Sequence, residues 1–342
     1  MKLHWFNPEN DLALAHGSAN FTPPKSVQVF AKALQALPLW YANSGDAVLA
    51  PDVDPKWWEE KVDSRHAAAV RQIWEGSGML RPYIPAPWGW SSYAEAKFRR
   101  LGIEGPYPDV SRIRELSHRR TALKLWQMLK LPYPLPPEPI EATDLKQIPM
   151  DKPVILKAPW SCSGRGVTTN LAAAEGIIRR QGSVMVEPLL DRIKDFAMLF
   201  EANDGKVDFL GLSLFQNSGT SYTGNIVGPQ AELRRMLGCD FIDETAHEVA
   251  RCMEVILGKD YNGPFGVDMM IYRGSEGREQ ICPTIEVNLR RTMGFVALSL
   301  AEKFGSGELR IIPRPKGTVE GIDLVPPNPD FAVKFIPKST DI

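Results

Sequence analysis

The chain reads as an α/β protein, and three features of its sequence predict this. Short apolar runs alternate with helical stretches over roughly the first 110 residues, the pattern of a parallel sheet with crossover helices. After residue 195 the apolar runs come instead as adjacent strand pairs, which implies antiparallel sheet. The length of 342 residues, with 44% hydrophobic and 24% charged residues, gives room for two or three units and a substantial core.

The elements follow in order. LHWF (3–6) reads as a first strand. Thr22 with Pro23 and Pro24 marks a helix start, with VQVFAKALQAL as the helix. DAVLAP (46–51) and MLRPYIPAP (79–87) read as further strands, and KWWEEKVDSRHAAAVRQIWEG between them reads as one helix. Seven of the nine tryptophans fall in the first 90 residues, and packing is the expected role of Trp57, Trp58 and Trp74.

Near residue 115 the pattern changes. SHRRTALKLWQMLKLPYPLPP has Ser117 as a predicted N-cap and Ala122, Leu125, Trp126 and Leu129 at helical spacing, before a proline-rich connector. LAAAEGIIRRQG predicts a helix capped by Asn170 and ended by Gly182, and VMVEPLL (184–190) a buried strand. DFAMLFE and KVDFLGLSLF predict a hairpin across Asn203, Asp204 and Gly205. Residues 230–257 read as helical, and GPFGVDMMIYR with ICPTIEVN as a second strand pair. From Pro313 the chain is proline-rich and is expected to wrap the surface.

Composition narrows the function classes. Lys+Arg of 40 against Asp+Glu of 41 gives a net charge of −1, with no basic bias toward nucleic acid or anionic lipid. The N-terminus meets Asn7, Pro8, Glu9 and Asp11 before any apolar run develops, unlike a signal peptide, and no stretch has the length of a membrane span. Cys162, Cys239, Cys252 and Cys282 form no CxxC motif, which points to a reducing compartment, so the expected location is cytoplasmic. Neither a nucleic-acid nor a membrane partner is expected, and the size is compatible with a homodimer.

Two stretches carry chemistry. In VILKAPWSCSGRG (154–166) a strand ends in Lys157, and Ser161, Ser163, Gly164, Arg165 and Gly166 then make a small polar loop of the kind whose N–H groups close around phosphate oxygens. It is neither a Walker loop nor GxGxxG. In VDMMIY and TIEVN, Glu286 and Asn288 share a strand face, and pairing the two strands brings Asp268 to them. Two carboxylates and an amide, without His or Cys, suit a hard divalent ion such as magnesium, or manganese in its place. Burying two carboxylates without a cation would be costly.

With these residues in view, the order of features over roughly residues 112–300 resembles the ATP-grasp superfamily. The matching pieces are SHRRTALKLWQMLKLPYP, ILKAPWSCSGRGV, VMVEPLL, and the D…E-x-N signature in GVDMMIY and IEVNLRR. The resemblance implies an ATP-grasp fold: an N-terminal parallel α/β domain (1–111), a small lobe with the phosphate loop (112–190), a large lobe with the metal site (191–312), and a proline-rich extension (313–342). It implies that Lys157 contacts a phosphate, that Ser161, Ser163, Gly164 and Gly166 close over the triphosphate, and that Glu187 with the backbone of Leu189 or Leu190 holds adenine. Asp195 stands where the family often has a ribose contact. Asp268, Glu286 and Asn288 would hold magnesium, and Arg290 or Arg291 would face the reacting centre. The chain departs from the family in carrying His118-Arg119 where an Asp-Lys pair is usual, so a first phosphate contact falls to Arg119, to Arg120 or to neither. Pro188 removes a backbone donor near the adenine.

The activity implied is that of an ADP-forming carboxylate–amine or carboxylate–thiol ligase. A small-molecule or peptide carboxylate would be activated as an acyl phosphate and then attacked by a nucleophile. A small-molecule kinase, a non-catalytic nucleotide-binding protein and an α/β scaffold are the alternatives. FNPENDLALAHGSANF (6–21) and QNSGTSYTGN (216–225) are candidate acceptor-site segments, with His4, Asn7, Asn10 and His16 as candidate residues. Cys162 reads as a small filler, since no histidine lies near it in sequence.

Overall fold

The structure is a computed structural model, and it describes residues 1–63, 70–74, 83–161, 166–218 and 221–338. Among these residues the strands form three sheets. The first is parallel: β1 (Lys2–Trp5), β2 (Ala47–Leu49), β3 (Arg71–Ile73) and β4 (Ile84–Pro87), in the order β3-β2-β1-β4. Around it lie α1 (Asn10–His16), α2 (Lys25–Ala33), α3 (Pro55–Asp63) and α4 (Ser92–Arg100). Leu3, Ala47, Leu49, Ile73 and Phe98 form a core beside this sheet. The single helix read over 56–76 does not form: α3 stops at Asp63 and Arg71–Ile73 pairs with β2. Period-3.6 spacing across Val70, Ile73 and Trp74 conceals a three-residue strand, because so short a strand shows no alternation of its own. Trp58 is buried as expected, whereas Trp74 is 52% exposed.

α5 (Val110–Leu116) and α6 (Arg120–Met128) lead into the second sheet. Ser117 is not an N-cap. It is the C-cap residue of α5, and α6 follows after one turn without a side-chain cap. The antiparallel second sheet contains β5 (Ile140–Ala142), β6 (Val154–Lys157), β7 (Val167–Thr168) and β8 (Val184–Pro188), ordered β5-β8-β6-β7. α7 (Ala173–Gln181) covers it and ends on Gly182 in the left-handed conformation. Asn170 does not cap that helix; its side chain accepts from Ala172 N in the turn before it.

The third sheet is the largest. It is built from β9 (Asp191–Asn203), β10 (Lys206–Ser218), β11 (Ser221–Val227), β12 (Gly263–Arg273), β13 (Glu279–Asn288), β14 (Gly307–Pro313), β15 (Ile322–Asp323) and β16 (Phe331–Pro337). Its order is β13-β12-β9-β10-β11-β14-β16-β15, antiparallel throughout. The hairpin between β9 and β10 turns on Asp204 and Gly205, both at positive φ (48° and 81°), as a two-residue loop of this hand requires. α8 (Gln230–Leu237), α9 (Ile242–Leu257) and α10 (Met293–Phe304) pack on this sheet, and the helical stretch read over 230–257 breaks at Gly238. The chain after Pro313 does more than wrap the surface. β16 pairs along β14, and Val333 and Phe335 are fully buried. Prolines at its flanks mask an ordinary alternating strand.

Candidate functional site

The cleft between the second and third sheets gathers most of the chemistry-bearing residues. From the second sheet comes Lys157, the last residue of β6, 6% exposed. β6 and β8 pair with Ile155 opposite Glu187 and Lys157 opposite Met185, so Lys157 and Glu187 lie diagonally on one face. Their side chains meet directly, Nζ donating to Oε2 at 2.5 Å. The expected phosphate contact and the expected adenine contact are therefore joined as an ion pair. Cys282, on β13 and directly opposite Met270, lies close enough for Glu187 to help burial push its thiol up to about 12.

The loop after β6 turns back through Gly166, at φ +73°, where a Cβ would come within 3.0 Å of Ala158 Cβ. Ala158 N donates to Gly166 O at 2.8 Å and closes the base of the loop. Cys162, Ser163, Gly164 and Arg165 lie outside the described residues. Ser161 is buried and its Oγ accepts from Arg119 Nη1 at 3.1 Å.

Arg119 joins the two sides of the cleft. Its backbone N–H donates to Pro159 O, Nη1 donates to Ala158 O and Ser161 Oγ, and Nη2 donates to Glu286 Oε1 at 2.7 Å. Arg120 instead leaves the cleft and pairs with Glu141 on β5. His118 is buried against the Trp160 ring at 4.6 Å, and burial together with Arg120 holds its imidazole down at about 4. Of the three residues, Arg119 alone has a side-chain contact to the carboxylate strand.

On the third sheet, β12 and β13 pair Asp268 with Glu286 and Gly266 with Asn288, and the register shifts between Asp268 and Met270. The i, i+2 reading of Glu286 and Asn288 and the pairing with Asp268 hold in the structure. Asp268 is half-buried. Burial and the facing Glu286 push its carboxyl up to about 7, against the opposing pull of Arg290 and the Asn288 amide. Asn288 Oδ1 accepts from Arg290 Nη2 at 2.9 Å.

Arg290 also grips the carboxylate of Asp11, with Nε at 3.0 Å from both oxygens and Nη2 at 2.7 Å from Oδ2. Asp11 lies in the first turn of α1, so the N-terminal unit reaches the carboxylate strand. Two backbone contacts fix that approach: Arg290 bridges to Gly89, and Arg291 N donates to Trp88 O. Arg291 goes elsewhere, its guanidinium 4.3 Å over the Tyr41 ring. Ser117, Pro159, Trp160 and Ser161 line a small recess together with Asp11, Glu286 and Asn288.

The remaining predicted residues are more scattered. Leu189 is 49% exposed and its N–H already donates to Pro153 O. Leu190 follows it, half-buried, at the start of β9. Asp195 accepts from Arg192 Nη1 at 2.8 Å and from Asn217 Nδ2 at 2.7 Å, and stands opposite Met270. His4 is buried against Asp46 and His16 packs on Phe21, whereas Asn7 bonds both the N–H and the carbonyl of Gly89, the backbone partner of Arg290. The residue that sequence reasoning passed over is Asp11. Its only local signal was the polar segment it belongs to, because its partner lies 279 positions away.

A cation fits the Asp268, Glu286 and Asn288 set. Burial first, and then the facing Glu286 charge, raise the Asp268 carboxyl, and a divalent ion at the pair would relieve both. Among the described residues no group of three or more His, Cys, Asp or Glu gathers as a closed metal cage. Two carboxylates and an amide leave coordination positions for phosphate oxygens and water, the usual arrangement for magnesium.

No family model matches the sequence, and no curated protein matches it. Solved structures do. A protein from Archaeoglobus fulgidus described as of the ATP-grasp superfamily aligns over 99% of this chain and 100% of its own, at 14% identity and a TM-score of 0.51. N5-carboxyaminoimidazole synthetase from Staphylococcus aureus, complexed with ADP, aligns over 91% and 82% at 14% identity and 0.48. L-amino acid ligase from Bacillus licheniformis aligns over 82% and 78% at 15% and 0.43. The chain has the ATP-grasp fold.

Proposed function

We propose that this ATP-grasp chain is an ATP- and magnesium-dependent ligase that activates a carboxylate for attack by an amine or a similar nucleophile. The observation that carries the reading is the in-register pair Asp268 and Glu286, with Asn288 beside it and the Arg119 guanidinium bonded to Glu286. Cations on one wall and cation-seeking carboxylates on the other match a nucleoside triphosphate with its metal.

Asp268, Glu286 and Asn288 would hold the magnesium, which when bound neutralises phosphate charge and draws electron density from the transferring group. Lys157 would exchange part of its pairing with Glu187 for a phosphate oxygen, and Glu187 would then accept from the adenine amino group. Ser161, Ser163, Gly164 and Gly166 would close over the phosphates with N–H donors and exclude water. The backbone of Leu190 suits the adenine edge better than that of Leu189, whose N–H is already engaged. Asp195 would accept from the ribose only by giving up Arg192 or Asn217.

Arg119 is placed to steady a developing phosphoryl charge, because its guanidinium already touches both Ser161 and Glu286. Arg290 is held by Asp11 and Asn288 at the edge of the carboxylate pair, where it would orient the acceptor carboxylate. Arg291, stacked on Tyr41, would act as a structural brace. Phosphoryl transfer to a hydroxyl would use the same groups, so reaction products distinguish a ligase from a kinase.

The test is ADP and phosphate release from Mg-ATP with panels of carboxylates, alone and with amines or thiols. Product that requires both a carboxylate and a nucleophile, with one ADP per product, is the expected result. A phosphorylated hydroxyl compound as end product would make the protein a kinase. Mg-ATP binding without turnover on any panel would leave a nucleotide-binding protein.

A further inference from the structure

A cavity of about 510 Å³ opens at the carboxyl ends of β1 and β2, on the N-terminal unit. Its walls include the aromatic rings of Trp5, Phe21 and Tyr93, with Tyr93 5.8 Å from Trp5 and 5.6 Å from Phe21 between ring centres. Glu9 borders it. This residue is 3% exposed, and its Oε2 has no hydrogen-bond partner among the described residues. A buried carboxylate oxygen without a partner is costly, and burial pushes Glu9 up to about 7 against its own backbone N–H and, more weakly, Lys97 on another wall. The other charges facing the cavity, Lys32 and Asp52, pair with each other at 2.9 Å near its rim.

Glu9 and Asp11 sit two residues apart, about 200° around a helical turn. Asp11 serves Arg290 and the cleft, while Glu9 faces this separate cavity. No residue of the cleft site lines it.

We infer that the cavity is a second binding site, for a small primary amine carried as its ammonium ion on an apolar body, with Glu9 as the anionic partner and the Trp5, Phe21 and Tyr93 rings around the cation and its hydrocarbon. An aromatic cage with one carboxylate selects a cation by charge pairing and by the negative ring faces together. A neutral isostere gains only the apolar contact, and an anion meets the carboxylate unfavourably. Because the bound form requires ionised Glu9, affinity rises with pH through the range where Glu9 loses its proton. The inference stands apart from the ligase reading and can fail or hold independently of it.

The experiment is a titration of the full chain with phenethylamine, 2-phenylethanol and 3-phenylpropionate, followed by calorimetry and by ligand-detected NMR. The expected result is saturable binding of phenethylamine at least about tenfold tighter than either other compound, tightening about tenfold from pH 6 to pH 8. Glu9→Gln should lose at least about tenfold of that affinity and Phe21→Ala about fivefold. A cooperative thermal unfolding transition and far-UV circular dichroism matching the parent serve as the check that both variants fold. The comparison of amine with alcohol on the unaltered protein needs no variant. Equal binding of the alcohol, binding that survives in a folded Glu9→Gln, or no binding of the amine at millimolar concentration would each overturn the inference.

Discussion

The two ends of the cleft treat buried charge in opposite ways. At the β6–β8 end, Lys157 and Glu187 neutralise each other through a 2.5 Å contact. At the β12–β13 end, Asp268 and Glu286 stand opposite each other with only part of their charge met, Glu286 by Arg119 and Asp268 by the Asn288 amide and the more general field of Arg290. The first end is balanced without any ligand. The second keeps two carboxylates in register with one guanidinium, Arg119, bonded to the pair. On the proposed reading the metal would belong to the third sheet, and the Lys157–Glu187 pair would be a latch that a nucleotide opens.

This contrast can be broken at its acidic end first. Asp268→Asn or Glu286→Gln should lower turnover with Mg-ATP by a factor on the order of 10³, measured as ADP release. The same Asp268→Asn change should raise the stability of the ligand-free protein at neutral pH. The raised carboxyl favours folding below its unfolded value of 3.8, and that contribution is lost as pH climbs through about 7. Denaturation midpoints of parent and variant should therefore coincide near pH 4 and diverge by pH 7.5. The gap should be on the order of 2 kcal/mol, discounted because Asp268 keeps some access to solvent. Magnesium with ATP should narrow that gap, since the metal-bound nucleotide stabilises the parent more than the variant.

At the balanced end the effects are smaller. Lys157→Met should raise the KM for ATP by about ten- to a hundredfold, with a smaller loss in kcat, in steady-state kinetics. It also leaves Glu187 unpaired, so Lys157→Met with Glu187→Gln should be more stable than the single change in urea melts. Smallest is Gly166→Ala. Positive φ and the 3.0 Å approach to Ala158 Cβ should cost about 1 kcal/mol in the same melts. Removing a surface pair such as Lys32–Asp52, exposed at both members, should change stability by less than about 0.5 kcal/mol.

The acidic end was the more legible of the two in the sequence. Glu286 and Asn288 could be placed on one face from strand periodicity, because a two-residue repeat survives in any sheet context, and Asp268 joined them through the expected pairing of the two strands. The hairpin at Asp204 and Gly205 was legible for a similar local reason. Asp11 was not, because an ion pair to Arg290 leaves no trace in the sequence around either partner. The choice between Arg119 and Arg120 stayed open for the same kind of reason. The start of α6 and the Pro159 carbonyl that holds the Arg119 backbone send Arg119 to Glu286 and Arg120 to Glu141, both tertiary facts. Errors in the element reading were also physical. β3 is too short for alternation to show, Ser117 is a good cap residue placed at the wrong end of a helix, and prolines at the flanks of β16 hid a strand whose Val333 and Phe335 are core residues.

The central claim is that the partly neutralised carboxylates Asp268 and Glu286 and the Lys157 loop together bind a metal-complexed nucleoside triphosphate. Its most direct test is a calorimetric titration of ATP into the purified protein, with magnesium and then with EDTA. The account predicts binding at micromolar concentration with magnesium, weaker by at least about tenfold in EDTA, with the metal dependence abolished in Asp268→Asn. Absence of ATP binding in both conditions, or binding indifferent to both metal and Asp268, would contradict it.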